Sequence, residues 1–463
     1  MAAKSEHLVV CEDEDDLSQV IAANYAFAMR AGLHLVPSSA RDKADEILEQ
    51  FYNVYEQRRA APTEILDELK SALRKRCSEI PIPANGSITF ITGGMPYGFG
   101  FPELPSTHLF NHPDLGLAAL NGFIAEQPKT RGVSVAVLVD PSTTKAPDIQ
   151  AAVKALPSRG IFARVYEGSN ATVRNVTDMV ELFPYDLLIF ATHCGDVSGY
   201  QWTYEFKDSE GIDRTFVVDI AIGLAASGDP GRIGVTQFMS FASLDGVDWR
   251  DPTEKAKLYV GKAVLDFMAK TRSNLKDELK PIKKEDIERV RGSAALKMYD
   301  HNFISLPKSI ADHGSPIIIN NACASWHRLA SNYMYGNARA YIGTLFPVTE
   351  AEASEVFAKL MDKHYGKPLA GAVWSSQREV YGDSVRRPYV VTGIYPQSLR
   401  SVRHNVPGYI SRRLDHALSQ WKSFASSGLA NNDPENMRQI NEIVDYYARE
   451  LEAFVKRWRS EIK

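Results

Sequence analysis

Two residues with reactive side chains each follow a short apolar run in this sequence. Cys323 comes after the run that begins at Pro316, and His193 comes after the run that begins at Tyr185. A cysteine attacks as its thiolate, and an ordinary thiol is mostly protonated at pH 7. A nucleophilic cysteine therefore needs a nearby base or a positive charge. Cys323 and His193 form the pair that predicts this chemistry.

The elements that must position the pair are predicted strands of one parallel sheet. From Arg131 onward, apolar runs alternate with helical stretches of about 10–15 residues, a pattern typical of βαβ units with right-handed crossovers. In such a sheet, chemistry takes place outside the carboxyl ends of the strands, and neighbouring strands lie about 4.8 Å apart. Residues at two neighbouring strand ends can therefore reach each other. The predicted strands are Val133–Val139, Gly160–Tyr166, Tyr185–Thr192, Pro316–Ile319 and Ala340–Phe346, and the helices between the first three are Ala146–Leu156 and Thr172–Phe183.

Backbone N–H groups beside the pair predict an oxyanion hole. The N–H groups of Cys194 and Gly195 follow the histidine directly, and together with the N–H of Cys323 they could face a developing oxyanion. Donors of this kind are typically worth about 3–4 kcal/mol in the transition state.

Two alternatives to this assignment stay open. Cys194 is a second candidate thiol, although a cysteine in that place can also simply pack behind the histidine. His327 lies four residues after Cys323 and could compete as the base, although a helix beginning there would carry it away from the strand end.

The order of these motifs resembles a known family. One apolar run is followed by A-T-H-C-G, another by N-N-A-C-A-S, and then comes A-Y-I-G-T-L-F-P-V-T-E-A-E-A. Over about Arg131–Tyr381 the chain resembles the CHAT family of caspase-like cysteine peptidases, relatives of separase and the caspases. The resemblance implies a caspase-like α/β sandwich with a mostly parallel central sheet, and hydrolysis of peptide bonds in a protein or peptide substrate. By the same resemblance, Cys323 is the nucleophile and His193 its proton-transfer partner.

The sequence departs from the family pattern at two positions. The family more often has glycine directly after the histidine, whereas this chain has Cys194, so the N–H that completes the oxyanion hole is left open. The residue two before the nucleophile lines the P1 pocket in relatives, as glutamine in caspases and aspartate in metacaspases. Here it is Asn321, a neutral amide, which predicts substrate binding with a neutral P1 residue.

Three regions are expected along the chain. Residues 1–128 form an N-terminal α/β unit, which the resemblance suggests is a degenerate pseudo-caspase half. Residues 129–400 form the peptidase domain with a polar insert at 245–302. Within that insert, Lys270–Arg291 carries charges of both signs and is interpreted as a solvent-facing helical element. Residues 401–463 form a C-terminal helical region.

Composition excludes several other classes of protein. The chain has 463 residues, 44% of them hydrophobic, with a net charge of −4 and a pI near 6.3. Nothing in this charge balance suggests direct nucleic-acid binding, and no apolar run approaches the roughly 20 residues of a membrane span. The first residues lack the apolar core of a signal peptide, so the cytoplasm, with reduced thiols, is the expected compartment. The four cysteines form no metal-binding motif, so neither a metal nor another cofactor is expected.

The function expected from these observations is that of a regulated cysteine endopeptidase. A regulatory protein or ligand is expected to order the polar loops Asp196–Tyr200 and Asp245–Asp251, and the resemblance suggests a role in bacterial antiviral defence. The alternative is a catalytically silent scaffold or pseudoprotease that acts by protein–protein interaction. A nucleotide-binding module on the glycine-rich loop Gly93–Phe101 is a second alternative, but no Gly-Lys-Ser/Thr follows that loop.

Overall fold

The computed structural model describes residues 6–14, 17–39, 41–57, 59–111, 114–127, 133–226, 233–271, 279–400, 405–427 and 434–462. Its centre is a ten-stranded sheet with helices packed on its faces. The predicted boundary between residues 128 and 129 lies outside the described residues.

The N-terminal part of the chain forms one half of this sheet. Its four strands are parallel and lie in the order second, first, third, fourth. The third strand is fully buried, and the first strand is buried except at its last residue, which agrees with the apolar runs found there. The elements of this half are β1 (His7–Asp13), α1 (Leu17–Met29), β2 (Gly32–Pro37), α2 (Arg41–Tyr52), α3 (Pro62–Arg76), β3 (Ser87–Thr92), β4 (Ser106–Phe110) and α4 (Leu115–Ala125).

The next stretch contains the predicted alternation of strands and helices. The three strands are parallel, with the first lying between the other two. The predicted βαβ pattern is therefore confirmed here, with bounds that differ by a few residues. The elements are β5 (Val135–Asp140), α5 (Pro147–Ser158), β6 (Phe162–Glu167), α6 (Val173–Leu182) and β7 (Leu187–Phe190).

A separate antiparallel region follows. The elements are β8 (Cys194–Gly195), β9 (Gly199–Lys207), β10 (Asp213–Ala226), β11 (Ile233–Leu244), β12 (Val247–Asp248), α7 (Pro252–Lys255), α8 (Ala263–Lys270), β13 (Lys283–Ile287), β14 (Ala295–Lys297) and β15 (Asn302–Phe303). The strands form a five-stranded sheet in the order β12-β11-β10-β9-β13 and a three-stranded sheet in the order β15-β14-β8.

The prediction that Lys270–Arg291 is a helical element is wrong. Lys270 is the last residue of α8, and the described residues after it in this segment are not helical. Residues 272–278 lie outside the described residues, and Lys283–Ile287 is a strand paired with β9 at the edge of the five-stranded sheet. Charged residues suit an edge strand because they discourage further pairing. A charge run therefore does not distinguish such a strand from a solvent-facing helix.

The last part of the chain completes the central sheet. The elements are β16 (Ile317–Asn320), α9 (His327–Tyr335), β17 (Ala340–Thr344), α10 (Glu350–Met361), α11 (Leu369–Tyr381), β18 (Tyr389–Gly393), α12 (Val406–Ser426) and α13 (Pro434–Trp458). The three strands extend the second half of the sheet to the order β6-β5-β7-β16-β17-β18, and β18 pairs antiparallel with β17 and parallel with β4.

The two halves thus form one continuous sheet. Within each half, the first four strands in chain order lie in the order second, first, third, fourth. Successive residues of the buried strands point to opposite faces, so that Ile318 joins one core cluster while Ile317 and Ile319 join another. The predicted fold class, α/β with a mostly parallel central sheet, is confirmed.

The last helix, α13, packs against β6 at one edge of the central sheet. Arg164 on β6 pairs with Glu450 on α13, and the Phe162 ring lies 5.7 Å from Phe454 and 5.1 Å from Trp458 between centroids. Across the described ranges, none of the helices combines the length and apolar character needed to cross a membrane.

Candidate active site

The two strands that carry the predicted pair are direct neighbours in the sheet. β7 and β16 run parallel, and Phe190 is paired with Asn320 at their ends. The N–H of Asn321 donates to the Phe190 carbonyl at 2.9 Å, which extends the pairing by one more bond. His193 and Cys323 each stand three residues beyond the paired position. Both therefore leave the same edge of the sheet from adjacent strands.

Cys323 lies in a tight turn that is held from both sides. The N–H of Ala322 donates to the side-chain oxygen of Asn320 at 3.1 Å, and the Thr344 hydroxyl donates to the Ala322 carbonyl at 2.8 Å. Ala324 has a φ of +44°, in the left-handed region that alanine seldom adopts. Strain of this kind persists only where the surroundings enforce it, and it often marks functional positions.

Ser325 and Trp326 anchor the far side of the same turn. The Ser325 hydroxyl donates to the Asn320 carbonyl at 3.0 Å and accepts from the Thr344 N–H at 3.1 Å. The Trp326 N–H donates to the Thr344 carbonyl at 3.0 Å, and its indole N–H donates to the Thr392 hydroxyl at 2.8 Å. Ser325 and Trp326 are both buried. The turn that presents Cys323 is therefore rigidly supported.

The turn also contacts the N-terminal half of the chain. The Trp326 ring lies 5.4 Å from His108 and 5.6 Å from Phe110, both on β4. Two residues further on, Arg328 lies 3.4 Å from the carboxylate of Asp45 on α2. The first half of the sheet thus takes part in shaping this site.

The Cys323 thiol is half-buried and is engaged by a backbone carbonyl. Its Sγ donates to the Val348 carbonyl at 3.4 Å. Burial is the main cause that raises the pKa of the Cys323 thiol, and the nearby Glu352 carboxylate raises it further. In this conformation the sulfur is held mainly as a neutral thiol.

His193 is exposed at the end of its strand. Its carbonyl accepts a hydrogen bond from the Lys297 N–H at 2.9 Å, which fixes the backbone. Within the described ranges, no hydrogen bond joins the imidazole to the Cys323 thiol. The structure brings the two strand ends together, and the dyad itself stays a prediction. For the competing base His327, the side chain lies outside the described residues.

Cys194 and Gly195 continue from the histidine as the short strand β8. They pair with Leu296 and Ala295 on β14. Cys194 packs against the main core cluster, and burial raises the pKa of its thiol. Its surroundings therefore favour the packing interpretation. Because both N–H groups belong to a paired strand rather than a free loop, their role in an oxyanion hole stays a prediction.

Asn321 is buried and fully engaged by other side chains. Its amide nitrogen donates to the Asp148 carboxylate at 2.7 Å, and its amide oxygen accepts from the Tyr389 hydroxyl at 2.9 Å. Only 7% of the residue is exposed. Burial raises the pKa of Asp148, and the bond from Asn321 partly offsets that effect. These contacts favour a structural role beneath the turn, and the predicted substrate-binding role stays a prediction.

Comparison with known proteins adds a distant likeness of fold. No family model matches the chain, and no curated protein matches it. The crystal structure of the Arg-specific cysteine proteinase gingipain R superimposes with a TM-score of 0.44 and 10% sequence identity, over 86% of this chain and 79% of that chain. Similarity at this level says nothing about function. The likeness to the CHAT family remains one of motifs alone.

A cavity of about 710 Å³ opens beside the Cys323 turn. Ala324 and Trp326 form one wall, and residues of α2 and β11 form two others. Asp196 from the loop after the histidine and Trp249 from the loop after β12 both line it. The two loops expected to be regulatory therefore meet at one cavity.

Arg289 joins three segments at the edge of this cavity. Its guanidinium donates to Glu49 on α2 at 2.7 and 3.0 Å, and to Asp196 at 2.9 and 3.0 Å. It also lies 4.1 Å from the centre of the Tyr52 ring, whose hydroxyl accepts from the Asp196 N–H at 3.0 Å. Sequence reasoning missed this network because its members are far apart in the chain. Arg289 had appeared only as one charge in a mixed run.

Proposed function

We propose that this protein is a cysteine endopeptidase, with Cys323 as the nucleophile and His193 as its proton-transfer partner. The observation that carries the proposal is the register of β7 and β16, since it gives the two residues the same offset beyond paired positions on adjacent parallel strands. The rigid turn around Cys323 adds support, because a nucleophile has to be held by locked neighbours. Ala324 in the left-handed region is consistent with a turn shaped for function.

The proposed reaction follows the general scheme of thiol acyl transfer. The Cys323 sulfur attacks the scissile carbonyl carbon as its proton passes to the His193 imidazole. The negative oxygen of the tetrahedral intermediate accepts hydrogen bonds from the N–H of Cys323 and from the N–H groups that follow His193. The C–N bond then breaks, and the imidazolium gives its proton to the leaving amine. Water hydrolyses the thioester, and the released thiol restores the enzyme.

Regulation belongs to the same proposal. The bond from the Cys323 thiol to the Val348 carbonyl, together with the raised thiol pKa, supports a resting state in which the sulfur is neutral and turned away from a base. Activation then requires the thiol to leave Val348 and reach His193. The cavity is a suitable place for a regulatory protein segment or ligand to act, since both predicted regulatory loops line it. The cytoplasmic location and the defence role stay expectations from the sequence.

The raised pKa of Cys323 also favours a second candidate function. A scaffold that keeps the peptidase fold without turnover would tolerate a thiol that is buried, neutral and bonded to a carbonyl. The two candidates differ in what they require of His193. An enzyme loses turnover when this histidine is removed, whereas a scaffold keeps its binding partners.

The test compares labelling by a cysteine-directed acyloxymethylketone probe with peptide cleavage in matched variants. Wild type should be labelled at Cys323, and Cys323→Ala should lose both labelling and cleavage. Cys194→Ala is the control, because its thiol packs into the core, and it should keep most of both. His193→Ala should keep the thiol but lose cleavage. Equal labelling and cleavage in wild type and Cys323→Ala would contradict the assignment, and loss in Cys194→Ala alone would transfer it to that thiol.

A further inference from the structure

Two helices of the N-terminal half present apolar side chains to solvent. On α1, Leu17 is 75% exposed and Phe27 is 87% exposed, and on α4, Leu120 is 55% exposed. Neither helix contains a charged residue. A helix that is apolar on all sides is normally covered on all sides. An exposed apolar face of this kind therefore indicates a surface that another molecule covers when the protein functions.

The exposed residues are regularly spaced. On α1 the exposed residues larger than alanine are Leu17, Val20, Asn24 and Phe27, separated by three, four and three positions. This spacing places side chains along one stripe of a helix, as in the seam between packed helices. On α4 the exposed apolar residues, Leu117, Leu120 and Ile124, repeat the same three-and-four spacing.

The opposite faces of both helices pack against the core of the chain. Ala22, Tyr25 and Ala26 of α1 and Leu115 and Ala119 of α4 are buried in one shared core cluster. The outward stripes are therefore additional to what the fold of a single chain requires.

The two stripes belong to one surface because the helices are neighbours. The Tyr25 ring lies 5.8 Å from that of Phe123, and a side chain added at Gly116 would meet Ile21 at 3.5 Å. We call the exposed faces of α1 and α4 together the α1/α4 seam.

We propose that the α1/α4 seam is the interface of a two-fold dimer, in which these helices of one chain pack on the same helices of a second copy. A two-fold interface brings the same patch of both copies together, and because α1 and α4 carry no charged residue this can occur without like-charge repulsion. Asn24 fits as well, because an amide both donates and accepts and can pair with its own copy, as single asparagines do in helical seams. The proposal is independent of the peptidase function.

The size of the seam suits such an interface. The exposed fractions of the six apolar side chains of the seam amount to on the order of 600 Å² per copy, taking roughly 150–200 Å² for one fully exposed large residue. This is about three quarters of what one partner buries in a standard interface, before flanking residues are included. A membrane surface fits less well, because helices that lie on lipid headgroups usually carry lysine or arginine, and α1 and α4 have neither.

The test measures the mass of the full chain in solution by light scattering and sedimentation over a range of concentrations. Wild type should be a dimer at micromolar concentration. Phe27→Asp should raise the dissociation constant at least about a hundredfold, because it replaces the most exposed aromatic side chain of the seam by a charge that the interface would have to bury. Its thermal midpoint extrapolated to the monomer should match that of wild type, because Phe27 makes little contact within its own chain.

Leu265→Asp is the matched control. Leu265 is 72% exposed on α8, in the antiparallel region, so its substitution should leave the dimer intact. A wild-type monomer at the highest concentration would overturn the proposal, as would a dimer that Leu265→Asp disrupts and Phe27→Asp does not. A monomer that sediments with neutral phosphatidylcholine vesicles would overturn it too, in favour of a membrane surface.

Discussion

Replacing Arg289 by alanine should slow turnover without unfolding the protein. Arg289 makes two hydrogen bonds to Asp196 and two to Glu49. The Asp196 side chain is only 5% exposed, so after the substitution its carboxylate stays buried, and among the described residues it keeps the bond from the Ala294 N–H at 3.2 Å. The lost hydrogen bonds hold Asp196, which lies three residues after His193, so the substitution should loosen the backbone next to the histidine.

The free-energy cost of removing Arg289 depends on how deeply its ion pairs are buried. Breaking a fully buried ion pair costs about 3–5 kcal/mol. The Arg289 and Glu49 side chains are 28% and 26% exposed, so water replaces part of the lost contact, and we expect about 2 kcal/mol. If that energy holds the histidine strand in place, kcat/KM should fall about thirtyfold.

The assay measures kcat and KM for Cys323-dependent peptide cleavage, together with hydrogen exchange of residues 193–197. Arg291→Ala is the control, because Arg291 is 53% exposed and approaches Glu49 only at 3.8 Å. Arg289→Lys should recover part of the rate. Unchanged cleavage and exchange in Arg289→Ala would refute the reasoning, while absence of Cys323-dependent cleavage in wild type would instead refute the proposed function.

The same network predicts a pH dependence of stability. Burial alone would raise the pKa of Glu49, but hydrogen bonds from Arg289 and Asn53 outweigh it and hold that pKa below its ordinary value. A carboxylate with a depressed pKa in the folded state stabilises the fold above its ordinary pKa and loses that contribution as pH falls. The stability difference between wild type and Arg289→Ala should therefore be full at pH 7 and shrink below about pH 4.5, which urea unfolding at several pH values will measure.

Three further predictions concern the turn and the residues beneath it. The alkylation rate of Cys323, followed by mass spectrometry, should still be rising above pH 9, because burial raises its pKa; a plateau below pH 8 would contradict this. Ser325→Ala should lower the free energy of unfolding by about 1–3 kcal/mol, because it leaves the Thr344 N–H buried without its acceptor; an unchanged urea midpoint would be inconsistent with that bond. Asn321→Asp should destabilise the fold more at pH 8 than at pH 5, because a second carboxylate beside the buried Asp148 is tolerated only when a proton is shared, so its cost grows as pH rises; equal destabilisation at both pH values would argue against the contact.

The sequence predicted the part of the fold in which local pattern and final environment agree. β5, β7 and β16 are buried on both faces, so their apolar runs identify them directly. From these strands the sequence also predicted that His193 and Cys323 leave the same edge.

The remainder depended on contacts between distant segments. Lys283–Ile287 looks polar because it is an edge strand, and its sequence does not reveal the neighbour that makes it one. Asn321 was given a substrate-binding role by analogy, and its contacts with Asp148 and Tyr389, which are distant in the chain, could not be predicted from the sequence. Arg289 became meaningful only once Glu49 and Asp196 were seen beside it.

The junction between β4 and β18 makes the two halves of the chain interdependent. The Thr107 hydroxyl donates to the Gly393 carbonyl at 2.6 Å across this junction, and Trp326 packs against β4 directly after the Cys323 turn. A chain shortened to residues 133–463 would leave β18 as an uncovered edge, open to pairing with other molecules. The N-terminal half thus covers the edge of β18 and prevents it from pairing with other molecules. Removal of that half should first cause aggregation, which would hide any loss of catalytic activity.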